Sequence, residues 1–443
     1  MTISSASNPK RHEFVRRFFR LAIVNILSNL MVPIAGLVDV AFLGHLAEIR
    51  HLAGVALATV LFNYIYWTFG FLRMGTTGTT AQAVGRSDEE AVLLTLFRNG
   101  ILAIGLGLII LILQYPLREL GFALLSAAPE VKSSGIAYYN ALIWGAPATL
   151  LNFVLMGWLL GREQGGRVLL LSVVGNGANV VLDYLFIVQW GWESAGAGIT
   201  TAASQYLMLL IGMILVCREQ WLGKVKAIAS RLLDASALNA TFALNSDILV
   251  RTFALVSTFA LFTNLSSSLG TVVLATNTLL LQVVTLAAYF IDGLAFATES
   301  FAGIFRGKGA SDQLPLLVRI SGAASLILGL LFALVFNLFP DSLFRLLTNH
   351  SEVIDPIGSY VGWLLPVLGF GSVAYMLDGY FLGLTEGRIL RKATITAALV
   401  GFAPVAIVAW RVQSSQLLWL ALSLFMIARV VTLGVKVPRT FNN

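Results

Sequence analysis

Apolar residues run through this chain in blocks that are hydrophobic on every helical face, and short polar segments separate the blocks. Ile101 to Leu113 and Leu326 to Phe336 are examples. A strand of an outer-membrane barrel would alternate polar and apolar positions over about ten residues; these blocks do not alternate. With a span of roughly 20 residues as the measure, the pattern predicts twelve helices, near 18–43, 53–80, 91–114, 134–160, 167–189, 195–216, 237–266, 271–303, 315–339, 354–384, 389–410 and 416–435. Several exceed the minimum length, so tilt or extension into the interface is expected.

The chain also matches itself. A shift of 222 residues lays Leu72 on Leu294, Gly85 on Gly307, Glu130 on Glu352, Tyr138 on Tyr360, Gly157 on Gly379 and Gly161 on Gly383. A duplicated six-span unit explains this, and an even number of spans gives both copies the same direction across the membrane. The expected fold is therefore an all-α integral membrane protein of two six-helix lobes, related by a pseudo-two-fold along the membrane normal. The domain reading is 1–217 for the first lobe, 218–236 for a cytoplasmic linker and 237–443 for the second lobe.

Composition agrees with lipid as the outer solvent. The 443 residues are 58% hydrophobic and 12% charged, against about 45–50% and 25% in soluble domains, so a soluble enzyme is excluded as a reading. Net charge is +7; its distribution assigns it to topology rather than to nucleic acid. Of the 29 basic residues, 23 fall in segments that are cytoplasmic if the N-terminus is inside, Arg251 and Arg429 counted among them. That asymmetry predicts cytoplasmic N- and C-termini in the plasma membrane, the inner membrane if the cell is bacterial. Met1 to Arg20 lacks the apolar core and cleavage site of a secretory signal. The single cysteine, Cys217, excludes a disulfide framework or a Cys-based metal site. His12, His45, His51 and His350 read as interfacial surface residues, so no transition-metal site or histidine relay is expected.

An ionisable group inside a span costs several kcal/mol by most scales, about 2.5–3.5 on the insertion scale, and its presence needs a reason. Asp39 in span 1 and Asp183 in span 5 lie five and seven residues before the outer ends of their helices, hence at similar depth. Asn179 and Asn176 fall four and seven residues before Asp183, on the same face. Thr200 and Thr201 of span 6 enter at that level. Oxygen ligands of this kind suit Na⁺ or a proton. Arg73, Asp292, Glu299 and Asp378 are the other intramembrane charges, read as second-lobe or conformational candidates, and Arg73 is expected to pair with a carboxylate of span 7 or 8. Under the 222-residue shift Asp39, Asp183, Asp292 and Asp378 fall on Leu261, Val405, Gly70 and Met156. The scaffold is duplicated and the charges are not. Pro33, six residues before Asp39, favours a kink in span 1.

Four segments carry a family likeness: Pro33 to Leu46 (PIAGLVDVAFLGHL), Asn179 to Asp183 (NVVLD), Ile291 to Glu299 (IDGLAFATE) and Leu377 to Gly379 (LDG). The chain resembles the multidrug and toxic compound extrusion (MATE) transporters, in particular their DinF-like branch. The resemblance implies two lobes in a V around a central chamber and alternating access. It implies export of drug-like organic cations or amphipathic compounds by a monomer, without a bound cofactor, in exchange for H⁺ or Na⁺. The family's first-lobe cation site would carry over to Asp39, Asn179, Asp183 and Thr201. The second-lobe site of the NorM-like branch, with an acid in span 7, is put in doubt, because Val250 to Gly270 contains no acid, although Asp378 is present. A lipid-linked oligosaccharide flippase of the wider superfamily is the alternative reading.

Overall fold

The computed structural model describes residues 9–46, 48–125, 127–218, 228, 230–346 and 351–442. Every regular element among them is helical. Twelve helical segments are long and apolar enough to cross a membrane: span 1, Arg11–Gly44; span 2, Ile49–Gly85; span 3, Glu89–Ile112; span 4, Pro129–Gly161; span 5, Gly165–Gln189; span 6, Glu193–Arg218; span 7, Ala235–Ser268; span 8, Thr271–Gly307; span 9, Ser311–Leu338; span 10, Glu352–Gly383; span 11, Gly387–Val412; and span 12, Ser415–Thr440. The number and order are those that hydropathy predicts. The ends differ, as in span 1, which starts at Arg11 rather than residue 18, because polar flanking residues continue a helix beyond the apolar core. Leu37, Ile112, Leu120, Leu338 and Val400 point outward with most of their surface uncovered, as lipid-facing side chains do. His350 and most of the 218–236 linker lie outside the described residues.

The packing forms two compact units, Leu27–Asn245 and Ser246–Asn443 together with the chain up to Ile26. Their limits are not those of the 1–217, 218–236 and 237–443 division. The start of span 1 packs in the second-half unit, where Phe14 meets Phe301 edge-on at 5.3 Å and Gly293 leaves room for the backbone of Ile26. The start of span 7 packs in the first-half unit: Asn245 Nδ2 donates to Asn99 Oδ1 at 3.3 Å. Arg98, on span 3, donates to the Arg231 carbonyl just upstream at 2.6 Å. Each repeat therefore contributes the start of its first helix to the other unit.

Within each unit the duplication is visible in the backbone. A Cβ on Gly157 or Gly161 of span 4 would collide with the carbonyls of Arg73 and Thr77 on span 2. In the second copy, a Cβ on Gly379 or Gly383 of span 10 would collide with those of Ala295 and Glu299 on span 8. All four pairs are related by the 222-residue shift, so spans 2 and 4 cross spans in the same register as 8 and 10 do. The left-handed turn residues repeat too: Ser87 (φ 56°) with Gly309 (φ 67°), Glu163 (φ 56°) with Thr385 (φ 58°), and Gly191 (φ 66°) with Gln413 (φ 55°). Span 3 is capped at its start by Asp88, which accepts from the Ala91 amide at 2.9 Å.

Candidate functional site

In the first-half unit, Asp183 is the last α-helical residue of span 5 before a π-helical turn, Tyr184–Gln189, a local widening that is common at functional sites. It is fully buried, and the Thr200 hydroxyl of span 6 donates to its Oδ1. Asp39, part-buried on span 1, has its carboxyl group within interaction range of that of Asp183. Asp39 Oδ1 and Asp183 Oδ2 are buried and accept no hydrogen bond from a neutral or cationic donor, and among the described residues neither aspartate forms an ion pair. Two adjoining carboxyl groups with this little exposure disfavour being charged together unless a cation lies between them. One step away, Asn179 Nδ2 lies 3.5 Å from Thr201 Oγ1, and the Thr201 hydroxyl donates to the Ala197 carbonyl at 2.9 Å.

The structure thus gathers Asp39, Asp183, Asn179, Thr200 and Thr201. Asn176 is not brought in: its carboxamide donates to the Ser172 carbonyl on its own helix at 2.8 Å. Tyr138 of span 4, absent from the sequence candidates, is brought in, buried beside Thr59 and Thr201 with both carboxylates in its field. Gly198 permits this, since a Cβ there would strike the Tyr138 carbonyl and Ala141. Pro33 lies inside the continuous helix that carries Asp39. Among the described residues no group of three or more His, Cys, Asp or Glu side chains could hold a metal.

The second-half unit holds a different arrangement. Asp378 of span 10 accepts from two buried guanidinium groups at Oδ2: Arg251 of span 7 and Arg429 of span 12, the latter at 2.5 Å. Arg429 is fully buried and lies over the rings of Tyr375 and Phe425, 5.1 and 5.6 Å from their centroids. Asp292 and Glu299 of span 8 lie within electrostatic reach of Arg251. Asp292, Glu299 and Asp378 are thus gathered around two arginines, and the second copy neutralises its carboxylates internally. This corrects the placement of Arg251 and Arg429 among the cytoplasmic topology residues: they are intramembrane counter-charges. His51 is corrected as well. It is buried, with Nδ1 2.9 Å from Ser194 Oγ and Nε2 3.1 Å from Glu193, joining the starts of spans 2 and 6. Arg73, part-buried on span 2, belongs to the first-half unit, and the carboxylates of spans 7 and 8 beyond Asn245 belong to the second.

Comparison with known proteins gives this architecture a family. The MatE family model matches residues 25–185 and 248–407, one match in each half. The DNA damage-inducible protein F of Escherichia coli (strain K12) is 33% identical over 97% of this chain and 93% of its own length. A MOP superfamily transporter from Pyrococcus furiosus superposes with a TM-score of 0.86 at 22% identity, covering 97% of both chains. An outward-facing multidrug resistance MATE family transporter superposes with a TM-score of 0.83 at 21% identity, again over 97% of both. The fold is that of the multidrug efflux transporters, and the chain belongs to the MatE family.

Proposed function

We propose that this protein is a secondary active exporter of drug-like organic cations and amphipathic compounds, driven by H⁺ or Na⁺ entering at Asp39 and Asp183. The observation that carries the reading is the carboxyl pair itself, Asp183 buried and Asp39 part-buried, adjoining and without a basic partner among the described residues, beside the Thr200 hydroxyl. Such a pair holds one cation strongly, and an all-oxygen donor set is suited to both ions. Loading the pair changes the hydrogen bonding of Asp39, and Pro33, where span 1 lacks one backbone hydrogen bond, is where that helix bends in response. The second-half carboxylates are assigned a conformational role, because Asp378 already has two guanidinium partners. The working orientation places both termini in the cytoplasm.

The test is dye efflux from proteoliposomes under independently imposed pH and Na⁺ gradients. Wild type is expected to export a cationic dye under at least one gradient. Asp39→Asn, matched for folding and insertion, should lower that rate by at least about tenfold, the effect of losing about 1.4 kcal/mol of coupling. An Asp39→Asn rate equal to wild type would overturn the role of the pair, and movement of a labelled lipid without dye efflux would favour the flippase reading.

A further inference from the structure

A cavity of about 630 Å³ opens in the second-half unit at the ends of spans 8, 11 and 12 and the turn Val437–Thr440. Five basic residues line it: Arg306 at the end of span 8, Arg388 and Lys392 on the first turns of span 11, and Lys436 and Arg439 at the end of span 12. Glu386 is the single acid in the lining. Arg388, Lys392 and Arg439 are exposed, and with Lys436 they make no ion pair among the described residues. Five basic side chains against one acid give the concavity a net positive potential.

Besides Thr396, Thr432 and Thr440, the rest of the lining is apolar and belongs to the spans. Val431 and Val435, one turn apart on span 12, are 56% and 63% exposed, and Ile389 and Ala393 face the cavity from span 11. The basic floor is also held in place. The Tyr380 hydroxyl of span 10 hydrogen-bonds to Thr440 Oγ1 at 2.6 Å, and Val437 and Thr440 are buried, which anchors the turn that presents Lys436 and Arg439. The N-terminus of the helical segment Gly387–Thr396 adds its positive dipole end.

We propose that this cavity binds the phosphate headgroup of an anionic membrane lipid, with the acyl chains lying along Val431 and Val435. A free phosphate satisfies the cations and leaves the valine flank uncovered. A lipid satisfies both, and basic pockets between spans near a membrane surface are where such headgroups bind. The assignment stands on this cavity and is independent of the transport reading.

Native mass spectrometry of the full-length protein in an uncharged detergent tests it, with phosphatidylglycerol, phosphatidylcholine and inorganic phosphate as probes. Wild type is expected to prefer phosphatidylglycerol to phosphatidylcholine by at least about a hundredfold. A triple variant, Lys392→Gln with Lys436→Gln and Arg439→Gln, should weaken phosphatidylglycerol roughly a hundredfold, about fivefold per residue, and leave phosphatidylcholine unchanged. The single Lys392→Gln variant, expected to lose about fivefold, keeps the proposal testable should the triple variant fold poorly, and Lys392→Arg should retain binding. Loss of the same size in an Arg11→Gln, Arg16→Gln, Arg20→Gln variant would show diffuse charge rather than a site. The proposal also fails if wild type shows no headgroup preference, or if inorganic phosphate alone displaces the lipid.

Discussion

At the scale of single residues, the two units treat buried carboxylates in opposite ways. Asp39 and Asp183 have hydroxyl and carboxyl neighbours, so no cationic side chain among the described residues balances their charge. Asp378 has two guanidinium groups on one oxygen, so its balance is closed by the chain itself. Removing one partner of a buried ion pair costs about 3–5 kcal/mol, because the remaining charge stays desolvated. Asp378→Asn takes the shared carboxylate from two buried arginines and should lower stability by about that range, read as a fall in thermal midpoint in detergent. Adding Arg251→Met to Asp378→Asn removes one of the two buried cations that Asp378 served, and the double variant is expected to be more stable than Asp378→Asn alone by at least about 1 kcal/mol. Strictly additive losses from the two substitutions would refute the pairing as a coupled unit.

At the scale of helices, the close crossings of span 2 with span 4 and of span 8 with span 10 set the geometry of each unit. Small residues at four-residue spacing let membrane helices pack backbone to backbone, and Gly157 with Gly161 and Gly379 with Gly383 supply that spacing. Gly379→Ala and Gly157→Ala should each cost about 1–3 kcal/mol through overpacking. Gly105→Ala on span 3, where a Cβ meets nothing within 4 Å, should be neutral or slightly stabilising. Equal effects at Gly105 and Gly379 would show that the crossings are not the tight contacts they are argued to be.

The sequence made the spans legible because hydropathy reports burial in lipid directly, and the 222-residue repeat made the duplication legible. Asp39, Asp183 and the two threonines could be placed at one depth because rise per residue fixes height along a helix. Helix rotation is set by tertiary packing that hydropathy does not encode, so the Asp39–Asp183 approach and the entry of Tyr138 appear only in the fold. Asn176 shows the same limit from the other side: it shares a face with Asp183, yet the carbonyl one turn back takes its donor. Arg251 and Arg429 were misplaced because counting basic residues by sign treats every one as a flank, and only burial distinguishes a counter-charge from a topology marker.

At the scale of the whole molecule, direction across the membrane decides what an ion gradient can do. One charge crossing 100 mV is worth about 2.3 kcal/mol, enough for roughly fifty-fold accumulation of an exported compound, and the sign of that work follows from which ends of the spans face the cytoplasm. With Arg251 and Arg429 set aside as internal, the remaining basic residues still crowd the ends of the spans that carry the N-terminus, so the positive-inside argument survives the correction. The chain contains its own probe of it. Cys217 is the only cysteine in the sequence, and it is exposed at the end of span 6. A membrane-impermeant maleimide should label Cys217 in inside-out vesicles and leave it unlabelled in right-side-out vesicles. Moving the thiol to the opposite ends of the spans, as Gln413→Cys in a Cys217→Ser background, should reverse the pattern. The same maleimide reacting with Cys217 only from the outer side would invert the topology and with it the direction in which the proposed coupling site is loaded.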